Sequence, residues 1–101
     1  MITKEELQTL LNTQKRKKQI VRLMKKQGYR DVRRCRNAKG TDVQRIAVAC
    51  NKNECQSVET DGYELYGSFC VYDGYEWIWL EETRVSPIHF DVTILIKPLN
   101  G

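Results

Sequence analysis

The chain has 101 residues, 41% of them hydrophobic and 30% charged, with a formal net charge of +4 at pH 7. That length suits one small domain with a single core and little surplus stability, and nothing in the composition suggests a low-complexity tract. No apolar run approaches the roughly 20 residues a membrane-spanning helix needs, and the opening MITKEELQTLL lacks the cationic-then-apolar order of a signal peptide. These features predict a cytoplasmic protein with reduced thiols and no membrane association.

Thr3-Lys4-Glu5-Glu6 has the form of a capping box, a hydroxyl N-cap with Glu three residues later. It predicts a helix from about Lys4 to Asn12 with Leu7, Leu10 and Leu11 on one face. Neither Pro nor Gly interrupts the chain before Gly28, yet one straight helix does not fit. At about 100° per residue, Ile20, Leu23 and Met24 point roughly 110–130° away from the leucine face. A break near Asn12-Thr13, with one of the two as a new N-cap, brings both faces to one core. The second helix, about Gln14 to Gln27, then buries Ile20, Leu23 and Met24 and turns Lys15, Lys18, Arg22, Lys25 and Lys26 outward, with Gly28 as its C-cap. Lysines at its end suit the helix dipole, whereas KRKK at its start opposes it, so that run is kept for another reason.

Tyr29 to Cys35 reads as a short strand followed by a loop at Asn37-Ala-Lys-Gly40. VQRIAVAC, Val43 to Cys50, reads as a buried strand from its small and β-branched residues. Gln56 to Glu59 is a further short strand, ended by the Asp61-Gly62 turn. The clearest local signal is ELYGSFCVY and YEWIWLEE on either side of Asp73-Gly74, the preferred two-residue turn of type I′. That turn pairs Tyr72 with Tyr75, Cys70 with Trp77 and Ser68 with Trp79. One face of the hairpin becomes aliphatic (Leu65, Phe69, Val71, Ile78, Leu80), and the other becomes aromatic. Glu81 to Ile88 reads as a loop containing Pro87, and Phe90 to Lys97 as a last alternating strand ended by Pro98.

Together these elements predict one α+β domain over 1–101: two N-terminal helices (about 4–27), a basic segment (29–40) and a four- to five-stranded, mainly antiparallel sheet (about 43–97) containing the Tyr72-Asp73-Gly74-Tyr75 hairpin. The helices cover the aliphatic face, which leaves the aromatic face without a cover from this chain. Tyr66, Tyr72, Tyr75, Trp77 and Trp79 there suit a second core or a homodimer interface better than base stacking, because Glu64, Glu76, Glu81 and Glu82 around them repel phosphates.

Charge is divided sharply along the chain. Lys15 to Lys39 holds twelve of the seventeen basic residues and one acid, Asp31, whereas Glu54 to Asp91 holds nine carboxylates and one basic residue, Arg84. A solvated helix face normally mixes signs. Five cations at three- and four-residue spacing repel one another unless an anion meets them, and nucleic-acid phosphates are the commonest such anion. The sequence therefore points to a small non-catalytic domain binding DNA or RNA through Lys15, Lys18, Arg22, Lys25 and Lys26, with Arg30, Arg33, Arg34 and Arg36 supplying bidentate contacts. The alternative is a protein-interaction module, a small inhibitor or adaptor whose basic helix or acidic sheet docks on an acidic protein or a nucleoprotein. Cys35, Cys50, Cys55 and Cys70 are expected as free thiols rather than zinc ligands, since C-x4-C is a poor knuckle spacing. Cys50–Cys55 would be the first disulfide to suspect in an exported protein. Catalysis has little support: His89 is the only histidine, no phosphate loop or HExxH is present, and a ribonuclease using Arg, Lys and Tyr would leave no signature. No cofactor or metal is implied.

Overall fold

A computed structural model describes residues 1–34 and 43–99. Three long strands form an antiparallel meander: β3 (Tyr63–Tyr72), β4 (Tyr75–Val85) and β5 (Ile88–Pro98). Two-residue strands flank it, β1 (Arg30–Asp31) on β5 and β2 (Cys55–Gln56) on β3, giving the order β1-β5-β4-β3-β2 with every pairing antiparallel. The β3–β4 register is the expected one: Tyr72 opposes Tyr75, Cys70 opposes Trp77 and Ser68 opposes Trp79. Asp73 and Gly74 both have positive φ, 53° and 81°, the requirement of the type I′ turn that sets this register. β4 and β5 run further than their sequence suggested. Glu81 to Ile88 is not a loop; a tight turn at Ser86-Pro87 joins Val85 to Ile88, and the strands stay paired up to it. The apolar alternation fades there because one face of this end is built from charged partners, described below.

The first layer is α1 (Lys4–Gln14) and α2 (Lys17–Lys26) on the aliphatic face. Leu7, Leu11, Ile20 and Met24 are buried against Leu65, Ile78, Leu80 and Leu95. Each such side chain contributes about 1.5–3 kcal/mol by leaving water. The Thr3 side chain accepts a bond from the Glu6 backbone N–H at 3.2 Å and donates to the Glu6 carboxylate at 3.1 Å, so the capping box forms as expected. The break between the helices falls later than Asn12-Thr13. Thr13 donates its hydroxyl to the Thr9 carbonyl at 2.7 Å and stays helical, and the chain turns instead at Lys15 (φ 65°), with Arg16 as the extended N-cap of α2.

The second layer corrects the sequence reading. Val43–Cys50 is not a strand but a helix, α3, lying across the aromatic face. Its β-branched content pointed to a strand, but Ile46 and Cys50 stand four residues apart and both are buried, the spacing of one helix face. They pack on Cys70, Trp77 and Ile96, with Tyr72, Tyr75 and Ile94 at the margin. The aromatic face is therefore covered around Trp77 by this chain itself. Cys50 at the end of α3 sits over Cys70, Cα to Cα 4.6 Å, and the two form a disulfide. The pairing Cys50–Cys55 and four free thiols are both overturned; Cys55 is buried in the first layer and free. The strand expected over Gln56–Glu59 shrinks to β2, and that expected over Tyr29–Cys35 shrinks to β1 followed by a 3-10 turn at Val32–Arg34. The loop at Asn37–Gly40 lies outside the described residues.

Candidate nucleic-acid interface

α2 carries cations on two sides, and the fold treats them differently. At its N-terminus no side chain from the helix itself caps the exposed N–H groups. Glu82 of β4 does so from across the first layer, accepting from the Lys17 N–H at 3.0 Å and holding the Arg16 guanidinium in a fork at 2.9 and 3.3 Å. The Arg16 guanidinium also lies 3.7 Å from the centre of the Tyr63 ring. Lys17 is buried along its stem and bonds the Asp91 carboxylate of β5. The sheet thus supplies two carboxylates where the helix start is positive twice over, by dipole and by side chain. Burial works against ionised Glu82, but the Arg16 bonds and the Lys17 N–H hold its carboxyl below the usual range. The Lys17 bond likewise lowers Asp91, with smaller contributions from His89 and Arg33 nearby.

At its C-terminus α2 closes in a Schellman motif: Gly28 (φ 96°) donates to the Lys25 carbonyl at 3.1 Å and Tyr29 to the Met24 carbonyl at 3.2 Å. Tyr29 is then buried, and its hydroxyl is pushed up to about 12 by that burial and by Glu76 beside it. This fixed exit leads straight into the edge strand β1, so Lys25 and Arg30 line one groove with Gly28, Tyr29 and Asp31.

Between these ends Lys18, Arg22, Lys25 and Lys26 are exposed on the outward face. Among the described residues none of the four meets a carboxylate, whereas Arg16 and Lys17 in the same run each do. Lys15 belongs to the left-handed link rather than to α2, and is exposed. Arg30 and Arg33 are exposed, and the Arg33 N–H bonds the Asp31 side chain at 3.0 Å. Only the backbone of Arg34 is described, and Arg36 lies outside the described residues.

Of the aromatic residues, Trp77 is 1% exposed inside the second layer and donates its indole N–H to the Tyr72 carbonyl at 2.8 Å. Tyr72 and Tyr75 pack half-buried around it. Tyr66 and Trp79 remain half-buried at the edge of the α3 cover, with Trp79 sharing a pocket with Ala47 of α3, and each is tied to a carboxylate, Tyr66 to Glu64 at 2.8 Å and Trp79 to Glu81 at 2.6 Å. Beyond them Phe90 and Ile88 stand 58% and 83% exposed.

Nothing in the local sequence signals that Tyr63, Arg84 and His89 meet. They form one row across three strands, Tyr63 opposite Arg84 and Arg84 opposite His89, beside the Arg16–Glu82 fork. Only recognition of Ser86-Pro87 as a two-residue hairpin turn could have set Arg84 against His89. Among the described residues no three His, Cys, Asp or Glu side chains converge as a metal site would require, and no helix is long and apolar enough to cross a membrane. Comparison with protein-family models, curated proteins and solved structures gives no match.

Proposed function

We propose that this domain binds nucleic-acid backbone through the outward face of α2, as a binding module rather than an enzyme. The observation that carries the reading is the contrast within one basic run. Arg16 and Lys17 are matched by Glu82 and Asp91, while Lys18, Arg22 and Lys25 have no carboxylate among the described residues and lie at steps of four and three on one exposed arc. Lys26, Lys15 and Arg30 widen the arc, and Arg33 extends it past the edge strand. Phosphates spaced along DNA or RNA suit such an array. With about five to six phosphates contacted, log K should fall against log salt with a slope near −5 on duplex DNA. Replacing Lys18, Arg22 and Lys25 together by Gln should flatten that slope by roughly 2 to 3. An unchanged slope in a folded triple variant would remove the helix from the interface. Titrations with duplex DNA, single-stranded DNA and RNA choose the polymer.

A second reading draws on the uncovered half of the aromatic face. Exposed Phe90 and Ile88, half-buried Trp79 and the carboxylates Glu64 and Glu81 suit docking on a protein with basic and apolar side chains, or on a nucleoprotein. A complex formed there survives nuclease treatment, whereas one bridged by nucleic acid does not.

A further inference from the structure

The polar cleft at the far end of the sheet is separate from the outward face of α2, and its donors outnumber its acceptors. Arg16, Tyr63, Glu82, Arg84, His89 and Asp91 line it. Both carboxylates are already engaged, Glu82 by Arg16 and the Lys17 N–H, Asp91 by Lys17. Arg16 is held on two sides, by the Glu82 fork and by the Tyr63 ring, yet it spends only its Nε and one Nη on Glu82. A guanidinium has five N–H donors, so three remain. Arg84 and His89 oppose each other on adjacent strands, both exposed, and among the described residues neither side chain makes a hydrogen bond or ion pair, although His89 is near enough to Asp91 to favour its charged form. Two such groups face to face across a sheet disfavour each other whenever the imidazole is charged.

We propose that this cleft binds a phosphate group, a tetrahedral oxyanion gripped by the free N–H groups of Arg16, the Arg84 guanidinium, the His89 ring and the Tyr63 hydroxyl. Arg84 and His89 are the specificity-determining pair, and Glu82 is a positioning residue that orients Arg16 without touching the ligand. The pre-set guanidinium lowers the ordering cost that usually weakens surface anion sites. Inorganic phosphate, a small phosphomonoester or the terminal phosphate of a nucleic-acid strand present the same group. The cleft does not depend on the α2 stripe, so it stands even if no polymer binds there.

His89 is the only histidine in the chain, so its imidazole resonances report on the cleft without further labelling. Titration of the full chain with inorganic phosphate, against chloride at matched ionic strength, should move those resonances saturably. Arg84→Gln should weaken that response at least about tenfold, the loss of one charge-assisted contact, while Arg22→Gln should leave it unchanged. An oligonucleotide carrying a 5′-phosphate is then compared with the same strand ending in a hydroxyl. Tighter binding of the phosphorylated strand, lost in Arg84→Gln, assigns the cleft to strand ends. Equal binding of the two strands with the phosphate response intact assigns it to free phosphate or a small ester. His89 resonances that follow phosphate no further than chloride, in a wild-type protein whose unfolding midpoint is normal, overturn the proposal.

Discussion

Arg16 and Lys17 at the start of α2, and Lys18, Arg22 and Lys25 along its outer side, come from one basic stretch without an acidic residue, yet the fold uses them in opposite ways. The first pair is folded inward onto the sheet: the Arg16 fork and the Lys17 N–H meet Glu82, and the Lys17 ammonium meets Asp91. The outer three face solvent with no carboxylate among the described residues. Local sequence is nearly the same in both places, so the difference comes from which strand lies opposite. A basic run is therefore not one surface. Its first part holds the helix to the sheet through Glu82 and Asp91, whose negative charge offsets the unfavourable helix start, and only its second part is free to meet an external anion.

Substitutions along α2 should separate the two parts, and the largest effect belongs to neither. Ile20 is 0% exposed beneath them, among Leu65, Ile78 and Leu95. Ile20→Ala should cost about 3 kcal/mol, as transfer loss plus an unfilled cavity, seen as a lowered denaturation midpoint. If the cost were below about 1 kcal/mol, α2 would be only loosely packed, and no argument from its geometry would hold.

Glu82→Gln comes next. It removes the charge that Arg16 and the Lys17 N–H share, and should cost about 2 kcal/mol at neutral pH while leaving the salt slope of nucleic-acid binding as in wild type. The same residue sets an acid limit. Glu82 and Asp91 both ionise below their usual range in the folded protein. Their contribution to stability is then complete above the unfolded-state values near 4 and is lost as pH falls through the lower folded-state values. Unfolding midpoints measured from neutral pH into that acid window should fall steeply for wild type and less steeply for Glu82→Gln. Parallel curves would mean that the sheet carboxylates do not anchor α2.

What the sequence revealed of this arrangement follows from how local each signal is. The Asp73-Gly74 turn fixes its own register, and Thr3 with Glu6 fixes the start of α1, so both were legible within a few residues. The outward placement of Lys18, Arg22 and Lys25 followed from helical period alone. Val43–Cys50 was misread because residue type favoured a strand while spacing favoured a helix, and spacing describes what the fold buries. The Cys50–Cys70 disulfide depends on α3 crossing the second face, so once that helix was missed the pairing could not be found. The partners of Arg16 and Lys17 lie 66 and 74 residues away, beyond any local pattern. The Arg84–His89 row is a local pairing by contrast, and it went unseen because Ser86-Pro87 does not announce itself as a two-residue hairpin turn.

The smallest expected effect is the sharpest test of the comparison. Lys18 with Arg22, and Arg22 with Lys25 and Lys26, are like-charge neighbours at helical spacing, each pair costing roughly 0.2–0.5 kcal/mol. Replacing Lys18, Arg22 and Lys25 by Gln removes that repulsion but also removes one cation from the favourable C-terminal end of the helix, worth roughly 0.3–1 kcal/mol. Losing Lys18 from the unfavourable N-terminal turn roughly offsets losing Lys25 from the C-terminal one, so relief of the like-charge pairs should leave the triple variant as stable as wild type or more stable by up to about 1 kcal/mol. Their salt dependences need not match. Added salt screens the exposed stripe, so the wild-type midpoint should gain more than that of the variant between low and high ionic strength. A triple variant destabilised by more than about 1 kcal/mol would show that these residues hold the fold together, as Arg16 and Lys17 do, and the distinction between the two parts of the run would collapse.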